Sequence, residues 1–291
     1  MTRGELLVVL EGWLARLPIR RFREPAPVIA ALRLHGVIGR VGPMSSGLTL
    51  ERLEKSIDRA FSLRRVKTVV LLINSPGGSP VQSALIAGRI RQLANEKDIP
   101  VVAFTEDIAA SGGYWLACAA DEIYSDANSI VGSIGVISSG FGFPLVLDRI
   151  GIERRVHTAG KRKGMLDPFQ AEVPEDIDRL KSIQVDMHEN FKNYVRERRG
   201  DKISASDSEI FEGDIWTGGQ ALSLGLIDGL GDVRTVTRNL FGDRVKIRPV
   251  NPASGGKFRR WLGPASNQRE SILWESISAL EEWFHWKRFG L

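Results

Sequence analysis

Apolar and polar positions are grouped in blocks along the central part of this chain. Between residues 27 and 248, unbroken apolar runs such as 68–73 and 100–104 alternate with amphipathic stretches. An apolar run of this kind is typical of a parallel strand that is buried on both faces. Runs of this type alternating with helical patterns predict βα units on a mostly parallel sheet, and therefore an α/β fold.

Two helices are predicted from the spacing of their apolar positions. Residues 49–63 begin with a threonine cap, and their apolar positions fall on one face, namely Leu50, Leu53, Ile57 and Phe61. Residues 174–199 form a longer, charged stretch with its own stripe, namely Ile177, Leu180, Ile183, Met187 and Phe191. Stripes of this kind indicate core or subunit contacts more often than cofactor sites.

Two glycine-containing turns follow the two apolar runs. Pro76-Gly77-Gly78 comes soon after the first run, and Ser111-Gly112-Gly113 comes soon after the second. Because glycine has no Cβ, the N–H groups of such turns can approach a ligand closely. A serine at a helix start also lies beside free N–H groups and a favourable dipole. The sequence therefore predicts an exposed hydroxyl next to an oxyanion hole, and acyl chemistry requires both.

Composition limits the remaining functions. The 291 residues suffice for one large α/β domain with terminal extensions, and the 43% hydrophobic content is ordinary for a globular protein. The single cysteine, Cys118, lies in an apolar stretch, so we expect it to be buried. One cysteine cannot form a disulfide within the chain, which is consistent with a reducing compartment. Neither a Cys/His cluster nor a phosphate-binding loop is present in the sequence, so no metal or nucleotide cofactor is expected. The formal charge of +5 is dispersed and does not favour nucleic acid.

The order of these motifs resembles the signal peptide peptidase A (protease IV) family of serine peptidases, and more distantly the ClpP and crotonase fold. The resemblance covers roughly residues 28–240 and rests on segments that occur in the same order, namely 73–78 (INSPGG), 110–114 (ASGGY), 131–136 (VGSIGV), 160–163 (GKRK), 214–221 (DIWTGGQA) and 224–228 (LGLID). Each glycine motif alone is weak, but together they are specific. The resemblance implies a ClpP/crotonase-like fold built from repeated ββα units.

The same resemblance implies a role for five residues. Ser111 would be the nucleophile, and Lys163 would be the general base of a Ser–Lys dyad. Ser133 would orient the lysine, and the N–H groups of Gly78 and Gly112 would form the oxyanion hole. Gly112 directly follows the nucleophile, whereas the choice of Gly78 over its neighbour rests on the family pattern.

Several alternatives stay open at these positions. Lys161 is the nearest rival for the base, and the basic loop 160–164 could simply be solvated. Ser133 could equally serve only its own turn. No histidine follows Ser111 where the ClpP pattern would place its base, and a surface or strand-edge role is favoured for each of the four histidines, namely His35, His157, His188 and His285.

The sequence divides into an N-terminal helical extension (1–27), a ClpP/crotonase-like peptidase domain (28–248), and a linker with an amphipathic, Trp-rich C-terminal helix (249–291). The apolar stretch of the N-terminal extension is shorter than the ~20 residues that span a bilayer, and it lacks the features of a signal peptide. This departs from typical members of the family, which carry an N-terminal anchor. We therefore expect the protein to be cytoplasmic or peripheral to the inner membrane.

The C-terminal helix is predicted from four apolar positions at helical spacing, namely Leu273, Ile277, Leu280 and Phe284. Tryptophans beside this stripe and basic residues at its end suit a membrane surface. They suit packing on a neighbouring subunit as well, and three glutamates favour the subunit slightly because anionic lipid would repel them.

The resemblance also implies partners. Substrates would be short or unfolded hydrophobic peptides, such as signal-peptide remnants. The protein would form a homo-oligomeric ring in which Ser111 of one chain meets Lys163 of the next. Two rival functions stay open, a non-catalytic scaffold of the same fold and a crotonase-type acyl-CoA enzyme. For the latter, Glu106 and Asp107 are the candidate carboxylates, although we expect them to close the loop after the strand at 101–104.

Overall fold

A computed structural model of the chain describes residues 26–40, 47–251 and 286–290. The described strands are β1 (Val28–His35), β2 (Val66–Ser75), β3 (Val101–Ala110), β4 (Glu122–Ser125), β5 (Ile130–Gly132), β6 (Ile215–Thr217), β7 (Gly229–Leu230) and β8 (Lys246–Val250). The described helices are α1 (Leu50–Ala60), α2 (Pro80–Lys97), α3 (Gly112–Ala117), α4 (Pro144–Ile150), α5 (Pro174–Arg199), α6 (Asp207–Ile210), α7 (Gly218–Ser223) and α8 (Val233–Phe241), with a 3₁₀ turn at Gly200–Lys202. The predicted N-terminal and Trp-rich C-terminal helices fall almost entirely outside the described residues.

These strands form one sheet with the order β6-β5-β3-β2-β1-β8, and β4 joins β3 to β7 beside this path. Each described strand pair is parallel except β5 with β6. Long β3 pairs with β4 through its first half and with β5 through its last three residues. The prediction of an α/β fold with a mostly parallel sheet is confirmed.

The third strand is longer than its apolar run. β3 continues through Glu106 and Asp107 to Ala110, so the expectation that these two carboxylates close a loop is wrong. The register with β2 changes there, because Ile73 pairs with Thr105 while Ser75 pairs with Ala109. Such a bulge bends a strand and redirects the residues that follow it. In this chain it lies just before the end of β3.

The core lies on both faces of the sheet. On one face α1, α2, α3 and the end of α5 cover a large apolar cluster. On the other face α8 covers a smaller one, which includes Ile29, Val70 and Phe104. Helix α1 confirms the predicted stripe by burying Leu53 and Ile57, although its Thr49 cap makes no side-chain hydrogen bond.

Residues 136–173, here called the arm, leave this core. The arm contains α4 and exposes many large apolar side chains, among them Ile137, Phe141 and Leu145, which are 67%, 77% and 70% exposed. Its own contacts include tilted aromatic pairs of Phe143 with Phe141 and Phe169. The chain returns from the arm through α5, whose bounds agree with the prediction.

Helix α5 packs on the core only near its end. Phe191, Val195 and Arg199 are buried, whereas Met187 in the predicted stripe is exposed. The first four positions of the stripe are therefore not buried against the described part of the chain. No helix in the described ranges has the length and apolar character needed to cross a membrane.

Candidate active site

Ser111 lies at a sharp turn between β3 and α3. Its φ and ψ are 52° and −121°, a conformation that residues with a Cβ rarely adopt. The turn is held because the Ser111 N–H donates to the Gly132 carbonyl at 2.8 Å, and its carbonyl accepts from the Trp115 N–H at 3.0 Å. Strained residues of this kind cluster at functional sites. Within the described part of the chain, the Ser111 hydroxyl makes no hydrogen bond and remains available.

The Pro-Gly-Gly turn after β2 lies directly against Ser111. A Cβ on Gly77 would come within 2.8 Å of the Ser111 Cβ and 2.9 Å of the Gly112 nitrogen. The φ of Gly77 is 104°, so the position is restricted to glycine by both its conformation and its surroundings. Gly77 could not be singled out from the sequence, because the motif alone does not show which glycine meets the serine.

Gly78 forms a parallel bridge with Ile38. The Ile38 N–H donates to the Gly77 carbonyl at 2.7 Å, and the Ser79 N–H donates to the Ile38 carbonyl at 2.8 Å. Both bonds use groups of the neighbouring residues, so the Gly78 N–H stays outside this bridge. A Cβ on Gly78 would overlap the Ile38 carbonyl oxygen. The bridge therefore fixes the backbone of the predicted oxyanion-hole residue.

Gly112 is the first residue of α3, so its N–H has no partner within the helix. A Cβ on this residue would overlap the Ser83 hydroxyl, and Ile38 lies close by. The structure thus brings the Gly77-Gly78 turn, Ser111 and Gly112 together. The arrangement presents a hydroxyl beside backbone N–H groups.

Ser133 follows β5 as Ser111 follows β3. Ala110 and Gly132 are register partners, so the two serines are the next residues along neighbouring parallel strands. Ser133 is buried, has a φ of 51°, and donates its N–H to the Asp214 carbonyl at 2.6 Å. The topology therefore places the turn that carries Ser133 beside the nucleophile turn.

Lys163 is not joined to these residues. It is exposed in the arm, and among the described residues its amine forms neither a hydrogen bond nor an ion pair. Only its backbone N–H is engaged, with the Gly160 carbonyl at 3.1 Å. Lys161 is exposed as well. Neither candidate base meets Ser111 through a hydrogen bond within this single chain.

The candidate carboxylates of an acyl-CoA enzyme have partners of their own. Glu106 lies 2.6 Å from the His35 Nε2, and Asp107 accepts from the Asn74 amide at 2.6 Å. Burial and Arg33 lower the pKa of His35, while Glu106 raises it, and the net direction is down. These contacts connect the ends of β1 and β2 with the middle of β3, next to the bulge.

A packed platform supports the nucleophile helix. Trp115 stacks on Phe191 and Tyr194 of α5, with ring centroids 4.8 and 4.9 Å apart. The Tyr114 hydroxyl donates to the Leu226 carbonyl at 2.7 Å. Cys118 is buried as predicted, and burial raises the pKa of its thiol to about 12. The thiol is therefore protonated at neutral pH.

The mostly parallel sheet and a serine turn at its carboxyl edge define a ClpP-like α/β fold. The chain belongs to peptidase family S49, whose family model matches residues 93–244. A mutant of the 1510-N membrane-bound stomatin-specific protease, solved with a substrate peptide, has a similar fold with a TM-score of 0.50 at 15% identity. The match covers 81% of this chain and 98% of that one.

Two curated relatives are considerably longer than this chain. A protein named Na⁺/H⁺ antiporter NhaA from Brucella abortus is 45% identical over 300 residues, which cover 100% of this chain and 41% of that protein. The chloroplastic serine protease SPPA of Arabidopsis thaliana is 32% identical over 208 residues, which cover 70% of this chain and 30% of that protein. The chain thus spans less than half the length of these two relatives.

Proposed function

We propose that this protein is a serine endopeptidase that uses a Ser–Lys dyad. The Ser111 Oγ attacks the scissile carbonyl carbon while its proton passes to the neutral Lys163 amine. The N–H groups of Gly78 and Gly112 donate to the oxyanion. The Lys163 ammonium then protonates the leaving amine, and water hydrolyses the acyl-enzyme. Ser133 orients the lysine. The observation that carries this proposal is the strained Ser111 turn packed against Gly77.

We further propose that the lysine comes from a neighbouring copy in a homo-oligomeric ring. The support is the arm, which exposes Lys163 together with large apolar side chains such as Phe141. Apolar surface of this extent marks an interaction site. A general base must be neutral, and burial at a subunit contact favours the neutral amine. An isolated chain would then hold the nucleophile and lack its base.

Substrates would be short or unfolded hydrophobic peptides, including signal-peptide remnants. A ring restricts access to chains that can thread into it, and the Arabidopsis relative is named for the same protease type. Of the two expected locations, cytoplasmic or peripheral to the inner membrane, we propose the second. This rests on the Brucella relative, in which a region similar to this whole chain belongs to a larger protein with an antiporter's name.

The first test is intact-mass spectrometry after incubation with a peptidyl fluorophosphonate. Wild type should gain one adduct that maps to Ser111, and Ser111→Ala should gain none. Lys163→Ala should label far more slowly, whereas Lys161→Ala is the matched control and should label like wild type. Equal labelling of the two lysine variants would contradict the assignment of the base.

Mixing variants tests whether the dyad forms between chains. Ser111→Ala retains the lysine and Lys163→Ala retains the serine, so a random 1:1 ring regains about a quarter of the sites. Recovery of peptide cleavage on mixing is the expected result. Two variants that stay inactive after they are unfolded and reassembled together would exclude a shared site.

The rival functions give different outcomes in the same experiment. A scaffold of the same fold would take no adduct even when fully assembled. An acyl-CoA enzyme would take none either, but acyl-CoA would raise its melting temperature. The partners of Glu106 and Asp107 on β1 and β2 argue against the second rival, because carboxylates that are already paired with other side chains are poorly placed to act as acid and base.

A further inference from the structure

We propose that His188 is a positioning residue that holds the Ser133 turn in place beside the nucleophile. The consequence for catalysis rests on the proposed function, whereas the effect on the turn itself does not. His188 lies on α5, is half-buried, and has its Nε2 3.1 Å from the Ile134 carbonyl oxygen. A carbonyl only accepts, so Nε2 carries the proton in this contact.

The turn needs such a contact because its backbone is strained. Gly132 and Ser133 both have positive φ angles, 113° and 51°. Ile134, the next residue, is fully buried, so its carbonyl must find a donor inside the protein. The turn is also held by backbone hydrogen bonds of Gly132 with Ser111, of Ser133 with Asp214 and of Gly135 with Ser133. In the described ranges, His188 supplies the side-chain hydrogen bond to this turn.

The same helix also holds the nucleophile side of the site. Phe191 and Tyr194 stack on Trp115, whose N–H bonds the Ser111 carbonyl. These aromatic residues lie one to two turns after His188 on α5. Helix α5 therefore contacts the segment that follows Ser111 and the segment that follows Ser133. The His188 contact fixes the position of the second segment relative to the first.

The test compares His188→Gln with His188→Phe. The glutamine amide nitrogen can reach the position of Nε2 and keep the donor, whereas phenylalanine keeps a ring of similar shape without the donor. We expect His188→Phe to slow fluorophosphonate labelling of Ser111 by at least ~10-fold, because small misplacements in a site cost that much or more. His188→Gln should recover most of the rate. Melting temperatures of both variants report any general loss of stability.

Hydrogen–deuterium exchange of residues 131–136 provides a readout that needs no activity. His188→Phe should raise exchange in this segment and leave β2 unchanged, and His188→Gln should exchange like wild type. If both variants label Ser111 equally fast, or exchange equally in this segment, the positioning role is wrong. If wild type takes no label at Ser111, the peptidase proposal fails, and exchange alone then decides the role of His188.

Discussion

Replacement of Gly77 by alanine tests the geometry of the site most directly. The added Cβ would lie 2.8 Å from the Ser111 Cβ and 3.0 Å from the Ala110 carbonyl oxygen. Real Cβ atoms do not approach other atoms this closely, and backbone atoms cannot move as a flexible side chain can. The turn after β2 must therefore shift away from Ser111 in Gly77→Ala.

The expected magnitude has a stability part and a functional part. A φ of 104° costs a residue with a Cβ about 1–3 kcal/mol, and overpacking adds about 1–3 kcal/mol. A total of at least ~2 kcal/mol corresponds to a Tm lower by at least ~4 °C for a domain of this size. If the shift removes the Gly78 N–H from the oxyanion, the chemical step slows by about 10²–10³-fold.

Gly88→Ala is the matched control for this change. Gly88 lies inside α2, and nothing would come within 4 Å of an added Cβ. Alanine should therefore stabilise the helix by about 0.5–1 kcal/mol and leave labelling unchanged. Thermal unfolding and the fluorophosphonate labelling rate are measured for both variants. A Gly77→Ala protein that melts and labels like wild type would refute the close approach of the two turns.

Four further results are expected. Cys118 should resist iodoacetamide at pH 8 in the folded protein, because burial raises the pKa of its thiol to about 12; rapid native alkylation, followed by mass, would contradict its burial. Burial raises the pKa of Asp228, but hydrogen bonds from Arg199 and Lys202 lower it more, and the net pKa lies below 3.8. The ionised Asp228 carboxylate therefore stabilises the fold above pH 3.8, and this contribution is lost as the pH falls below 3.8. Urea unfolding at a series of pH values will measure this loss. Arg199→Leu should cost about 3–5 kcal/mol at pH 7 because Asp228 loses its buried partner, and a loss below ~1 kcal/mol would show that Lys202 alone suffices. Trp115→Leu should lower stability by about 1–3 kcal/mol through its lost ring stacking, measured by the same urea titration, and an unchanged midpoint would mean that α5 does not depend on it.

The strands could be predicted from the sequence wherever burial on both faces requires a continuous run of apolar residues. β2 was evident because it is buried on both faces, and α5 was evident because its length and spacing exclude a strand. The second half of β3 was not, since Glu106 and Asp107 interrupt the apolar run. Their polarity is tolerated because His35 and Asn74, near the ends of β1 and β2, contact them. Side-chain pairs between residues far apart in the sequence leave no periodic pattern from which they could be predicted.

The site was predictable to the extent that motifs sit at strand ends. Turns after neighbouring parallel strands meet at one edge of a sheet, which is why Ser111 and the Gly77-Gly78 turn come together. The contributions of Gly77 and His188 were missed, because a close approach and a backbone carbonyl partner have no sequence pattern. The exposure of Lys163 was also beyond sequence reasoning, because it depends on how the arm leaves the core.

Backbone strain and exposed apolar surface are found in different parts of this chain. Positive φ angles at Gly77, Gly78, Ser111, Gly132 and Ser133 are concentrated in three adjacent turns, and each is held by bonds or packing within the chain. Strain of this kind persists only where the surrounding fold over-determines it. The arm shows the opposite pattern, because its large apolar side chains are exposed and find little cover among the residues that the structure describes. In the proposed ring, the nucleophile half would therefore be complete before assembly, and we expect dilution to abolish activity without unfolding that half.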